Sequence, residues 1–143
     1  MHIPEETFNG TTGDGISSFK DNSDPGYIGP GTWYTIHRMA YCAKTKELQI
    51  SFMKTMDEIC DGFPCLNCRY HCSEYIRNHP MNEYINMCVD MNGEKLPLGL
   101  FLWSWKFHNA VNARLKKSIM SWDTAYNIYS DNNNLVCNKD CGE

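Results

Sequence analysis

No run of apolar residues in this chain approaches the ~18 needed to cross a bilayer. The longest apolar stretch, "LPLGLFLWSW", is too short to span one. An excess of positive charge is missing too: 13 basic and 17 acidic residues are intermixed and leave a formal charge of -4. No basic stripe awaits a phosphate backbone, which argues against nucleic acid as a partner. The opening "MHIPEETFNG" has no basic segment leading into an apolar core and a small-residue cleavage site. The expectation is a chain without a secretory leader, in which the sequon Asn9-Gly10-Thr11 carries no sugar. Internal repeats and a second domain are absent as well.

Cysteine is what the chain has in abundance, eight among 143 residues. Three of them, Cys65, Cys68 and Cys72, fall within eight positions in "GFPCLNCRYHCSEY". Cysteine richness without a secretion signal points to metal-binding or catalytic thiols rather than to a disulfide framework. With 42% apolar and 13% aromatic residues, the chain can build one packed domain without such staples.

Residues 9–31 are rich in Gly, Ser, Asn and Asp and end in the breaker-rich "DPGYIGPG", which reads as an irregular arm. The first helix is expected after Gly31 with Thr32 as its N-cap. Trp33, Ile36, His37 and Ala40 then share one face. A second helix over 46–62 repeats the pattern through Leu48, Phe52, Met56 and Ile59. The third runs from Cys65 to His79, entered through Pro64 and ended by Pro80, with Cys68, Cys72, Tyr75 and Ile76 on its apolar side. A connection with turn signals at Asn92-Gly93 and Pro97 leads to the longest apolar pattern, 99–117. There Leu100, Trp103, Phe107, Val111 and Leu115 form a stripe, flanked by Trp105, His108 and Asn112. Ser121 caps a last helix, "WDTAYNIYSD". These elements predict an all-α bundle.

The pair Cys65-Leu-Asn-Cys68 sits at a helix N-terminus, where thiolate is favoured over thiol. Three readings of the spacing remain open: a dithiol that exchanges two electrons, a metal site, or an inert pair. As a zinc site, Cys60, Cys65, Cys68 and Cys72 would be the ligands, with His71, His79 or Cys88 as alternates. A thioredoxin-like reductase fits less well, since no alternation of strand and helix surrounds the pair. On the 99–117 helix, His108, Asn109 and Asn112 place an imidazole and two amides among aromatic rings. That set suits a planar, polar cofactor, although a histidine and tryptophans there are also ordinary core packing.

"GPGTWYTIHRMA", "FPCLNC", "FHNAVNARLKK" and "SWDTAYNIY", in this order, resemble the FAD-linked sulfhydryl oxidases related to the yeast essential-for-respiration-and-viability proteins and augmenter of liver regeneration. "RYHC" and "FHNAVNARLKKSIMSW" look most like the small thiol oxidases of large cytoplasmic DNA viruses such as African swine fever virus. The resemblance covers about residues 29–130 and favours the redox reading of the cysteines. It implies a four-helix bundle with an additional short helix, usually a homodimer, with FAD at one end. An N-terminal arm would then occupy residues 1–28, and a polar tail, 131–143, would carry Cys137 and Cys141 as a candidate dithiol shuttle.

Carried over by motif, Cys65 is the interchange cysteine and Cys68 the one facing the flavin. Trp33, His37, Tyr41, His108, Asn109, Asn112 and Lys117 approach FAD, with Trp122 and Tyr129 on the adenine side. The implied activity is formation of protein disulfides, with electrons passing to molecular oxygen to give hydrogen peroxide. Cysteine-containing viral proteins, or a thioredoxin-like carrier, would be oxidised at assembly sites in the host cytoplasm. Two departures stand out. Gly31 occupies a position where many relatives have a basic residue. Trp105 and Trp122 stand where cellular relatives often have a disulfide-forming pair, so aromatic packing would attach the last helix.

Overall fold

The computed structural model describes residues 24–130 and shows an all-α bundle of five α-helices with one small hairpin. In chain order these are α1 (Pro25–Cys42), α2 (Lys46–Gly62), α3 (Leu66–Asn78), β1 (Val89–Met91), β2 (Glu94–Leu96), α4 (Gly99–Arg114) and α5 (Trp122–Ser130). Helix α1 packs chiefly on α4 and α5, and α2 packs on α3. The shared core is built on Phe52, Met56, Phe101 and Trp103, all almost completely enclosed. The Trp103 indole donates to the carbonyl of His79 at 2.8 Å, which satisfies a backbone acceptor at the end of α3. Most of the 1–28 arm and all of the 131–143 tail, including Cys137 and Cys141, lie outside the described residues.

Helix α1 begins eight residues before the start expected from an N-cap at Thr32. Asp24 is its N-cap, accepting from the Gly26 N–H at 2.8 Å, and Pro25 fills the first turn. An Asp-Pro start supplies a cap and a preset φ together. It carries the helix through Gly29, Pro30 and Gly31, at the expense of the backbone bond that Pro30 cannot donate. Thr32 is no cap; its hydroxyl donates back to the carbonyl of Ile28 at 2.9 Å. Helix α2 starts where expected, with the Thr45 hydroxyl accepting from Leu48 N–H. Its core stripe begins a turn later than expected, at Phe52, and Leu48 is half exposed.

The Asn92-Gly93 signal is the turn of the hairpin. Both residues have positive φ, 55° and 87°, between the paired Met91 and Glu94. That conformation at two central residues is the tight turn Asn-Gly favours. Helix α4 then starts at Gly99, where an added Cβ would lie 1.8 Å from the carbonyl oxygen of Tyr84, so only glycine fits. It stops at Arg114, three residues short of the expected end. Lys116 N–H bonds to Ala113 O and Lys117 N–H to Asn112 O, a pairing that requires a left-handed residue between them. Lys116 takes that role with φ 56°, where glycine is usual. Once the helix has ended, Leu115 no longer continues the apolar stripe and is half exposed.

The last helix is attached by aromatic rings, as the substitution of tryptophans for cysteines suggests. Trp105 and Trp122 meet edge to face, with centroids 5.5 Å apart. Trp105 also donates to the carbonyl of Met120, and Trp122 points its N–H at the sulfur of Met91 in the hairpin.

Candidate active site

Cys65 is the N-cap of α3. Its extended backbone leaves the helix axis, and its sulfur accepts the Cys68 N–H at 3.2 Å. A sulfur that accepts a backbone N–H at a helix N-terminus is stabilised as thiolate. The Phe63-Pro64 turn that leads into it is held by Arg69, whose Nε donates to the Phe63 carbonyl. Cys65 and Cys68 form a disulfide, Cα atoms 5.1 Å apart. A second disulfide, Cys60–Cys72, joins the end of α2 to α3 and brackets the first. The four sulfurs proposed as zinc ligands are therefore paired and offer no thiolate to a metal. Cys60 and Cys72 are buried, whereas Cys42 and Cys88 are exposed and free.

Both disulfides lie on the wall of a cavity of about 820 Å³ between α1, α2, α3 and α4. Of the residues singled out from sequence, the structure brings Cys65, Cys68, Trp33, His108, Asn112, Lys117 and Tyr129 together on that wall. His37, Tyr41, Asn109 and Trp122 stand behind it or apart from it. His37 is completely enclosed. The Tyr41 ring packs on Phe101 beneath the ammonium of Lys44. Asn109 uses its amide on both backbone groups of Met120, holding the loop after α4. Trp122 is occupied by Phe101, Trp105 and Met91.

Sequence reasoning missed several wall residues. Pro25, Gly29 and Pro30 line the cavity because α1 begins early, and the Asp24-Pro25 pair was the signal for it. Asn67 and Arg114 also line it, as does His71, which the sequence offered only as an alternate zinc ligand. Gly31 does not line it, and Arg114 and Lys117 supply positive charge to the wall.

Two aromatic planes give the cavity its character. Trp33 and His108 stack with centroids 4.0 Å apart and planes 4° apart. Behind them His37 Nε2 meets His108 Nδ1 at 2.8 Å, and His37 Nδ1 meets the hydroxyl of Ser104 at 2.9 Å. Burial, aided by the neighbouring His108, holds His37 down to a pKa of about 3. Burial and then Lys117 hold His108 down to about 4. Both imidazoles are neutral at pH 7. A flat aromatic wall, amide and imidazole groups, and two cations suit a planar ring system joined to phosphates; the residues present fit a flavin dinucleotide.

The lowered pKa values carry a stability prediction. The unfolded chain takes up protons on these histidines below about pH 6.5, while the fold refuses them until about pH 4 and below. Stability is therefore complete above about pH 6.5 and falls as the pH drops toward the folded values. His37 alone should contribute a loss of about 2 kcal/mol by pH 5. Urea unfolding at pH 7 and pH 5 measures it, and equal midpoints would refute it.

The Erv1 / Alr family pattern matches residues 30–130. An FAD-linked sulfhydryl oxidase of African swine fever virus (isolate Tick/Malawi/Lil 20-1/1983) is 32% identical over 105 residues, covering 71% of this chain and 78% of the viral protein. The FAD-linked sulfhydryl oxidase of the Pig/Kenya/KEN-50/1950 isolate is 30% identical over the same shares of both chains. Sulfhydryl oxidase 1 of Arabidopsis thaliana is 31% identical over 88 residues, 61% of this chain and 14% of the plant protein.

Proposed function

The chain belongs to the Erv1 / Alr family and is a sulfhydryl oxidase, and on that premise we propose that it makes protein disulfides by passing electrons from Cys65–Cys68 through FAD to molecular oxygen. The observation that carries this reading is the Cys65–Cys68 disulfide on the same cavity wall as the stacked Trp33–His108 pair. A substrate thiolate attacks Cys65 Sγ, forming a mixed disulfide and releasing Cys68 as thiolate. A second substrate thiolate attacks the substrate sulfur of that mixed disulfide, so the substrate leaves oxidised and Cys65 leaves as thiolate. Two electrons now reside on the Cys65/Cys68 dithiol. FAD supplies the two-electron acceptor that restores the disulfide and the route to oxygen, with one hydrogen peroxide formed per disulfide.

The residues of this chain do the positioning. Trp33 and His108 offer a stacking face, Asn112 hydrogen-bonding groups, Lys117 charge for phosphate, and Tyr129 the far wall. His37 and Asn109 hold wall residues from behind, through His108 and Asn112, while Tyr41 and Trp122 pack farther back against Phe101. The cap supports the order of the two cysteines: Cys65 precedes the helix, on the side we assign to the protein substrate, while Cys68 lies within the first turn.

The kinship with viral enzymes extends the proposal. The substrates are cysteine-containing viral proteins or a thioredoxin-like carrier, oxidised in the host cytoplasm during particle assembly by a homodimeric enzyme. Among the described residues no helix is long and apolar enough to cross a membrane. Residues 131–143 would act as a tail whose Cys137 and Cys141 pass electrons inward to Cys65.

One set of assays tests the whole. The purified chain should be yellow, carry one FAD, sediment as a dimer under reducing conditions, and release one peroxide per disulfide made. A chain ending at Ser130 should keep its FAD and its turnover of a small dithiol but oxidise a protein substrate more slowly. Stoichiometric zinc without flavin would overturn the function, and equal protein turnover without the tail would overturn the shuttle.

A further inference from the structure

Ser104 is completely buried in the middle of α4, and nothing in the proposed electron path uses it. Its hydroxyl lies 2.8 Å from the carbonyl of Phe101 and 2.9 Å from His37 Nδ1. His37 Nε2 in turn lies 2.8 Å from His108 Nδ1. Proton counting along this line gives it a direction. The Phe101 carbonyl can only accept, so the single hydroxyl proton of Ser104 goes there. Ser104 Oγ then accepts from His37 Nδ1–H. A neutral His37 has no second proton, so its Nε2 accepts from His108 Nδ1–H. A neutral His108 is left with a bare Nε2, the ring nitrogen remote from His37, on the residue that lines the cavity. The reverse direction would set the lone pairs of Ser104 against those of a buried carbonyl and leave that contact without a proton.

We propose that Ser104 and His37 are positioning residues that lock His108 as the Nδ1–H tautomer, so that Nε2 accepts a hydrogen bond from an N–H or O–H group of the bound ligand. The ligand's identity as FAD rests on the function proposed above; the tautomer does not. Stacking on Trp33 fixes the plane of the His108 ring, and the Ser104–His37 line fixes its protonation. Together they determine where the acceptor lies and that it is an acceptor, which selects ligands presenting a donor at that point. The burial that keeps both imidazoles uncharged supports the counting.

The tautomers are directly observable. In the uniformly 15N-labelled full chain as purified, long-range proton–nitrogen spectra at pH 7 should show His37 and His108 both protonated at Nδ1 and bare at Nε2. Ser104→Ala removes the acceptor for His37 Nδ1–H while leaving a good helix former in place. It frees His37 to turn its proton toward His108. His108 should then appear protonated at Nε2 in part or entirely, and FAD should dissociate about tenfold faster, the loss of one hydrogen bond of about 1.4 kcal/mol. A purely structural role for Ser104 would leave the His108 nitrogen shifts unchanged. His108 protonated at Nε2 in the unaltered protein would overturn the proposal, as would a folded Ser104→Ala variant with unchanged shifts and FAD release. A protein that shows the expected tautomers but carries no flavin would instead sink the FAD reading and leave the histidine line standing.

Discussion

Serine in place of either Cys65 or Cys68 lowers oxidase turnover by at least about a thousandfold, the usual consequence of removing a covalent nucleophile, while leaving FAD bound. A hydroxyl at either position cannot form or break a disulfide, and the second disulfide offers no detour. Cys60 is 2% exposed and Cys72 9%, so a protein thiol has no approach to them. The cofactor stays because neither sulfur belongs to the stacking, amide or cationic groups of the wall. The two variants differ in what they accumulate. With Cys68→Ser, Cys65 is a thiol ahead of the helix with no internal partner. When the substrate is offered in its disulfide form, the Cys65 thiolate attacks that bond, releases one substrate thiolate, and should remain in a mixed disulfide. Cys65→Ser leaves only the sulfur inside the first turn and should trap far less. Mass spectrometry after alkylation under non-reducing conditions identifies the trapped sulfur. Trapping confined to Cys42 or Cys88, the exposed free thiols among the described residues, would refute the assignment of Cys65.

Much of the bundle was legible because its boundaries are chemical signals acting over a few residues. Thr45 and Ser121 both accept from backbone N–H groups three residues on, as N-caps do. Pro64 and Pro80 bracket α3 for equally local reasons. The start of α1 is hard to read because three glycines and an internal proline weigh against a helix one residue at a time, whereas the Asp24-Pro25 start acts on the whole turn. The hairpin strands, three residues each, are too short to show an alternating pattern, although their turn was evident. In the site, Trp33, His108 and Asn112 could be found because helical spacing sets them on known faces. The partners of the cysteines could not be found that way. Cys60 joins Cys72 across the interface of α2 and α3, and Ser104 reaches His37 on another helix, 67 residues away. Such contacts depend on packing between helices, which one helix's periodicity does not encode.

Replacing both Cys60 and Cys72 with alanine should cost about 3 kcal/mol of stability, from the chain entropy released when a closed loop of this length is opened in the unfolded state. The loop spans a sequence separation of 12 and contains the Phe63-Pro64 turn, the N-cap of α3 and both redox sulfurs. Opening it therefore loosens the segment whose geometry matters most when the Cys65–Cys68 bond is broken in each cycle. In the intact protein the bracket holds the ends of α2 and α3 together while that inner bond opens and closes. In a chain of this size the loss corresponds to a fall in Tm of roughly 10 °C. At a temperature well below the new transition the double variant should still oxidise a small dithiol at a rate within a few-fold of the parent. The outer disulfide is then a clamp, and the inner one alone carries electrons. Scanning calorimetry and a peroxide assay on the same sample separate the two roles. An unchanged Tm would deny the clamp, and a folded, flavin-loaded double variant without turnover would place Cys60 and Cys72 in the electron path.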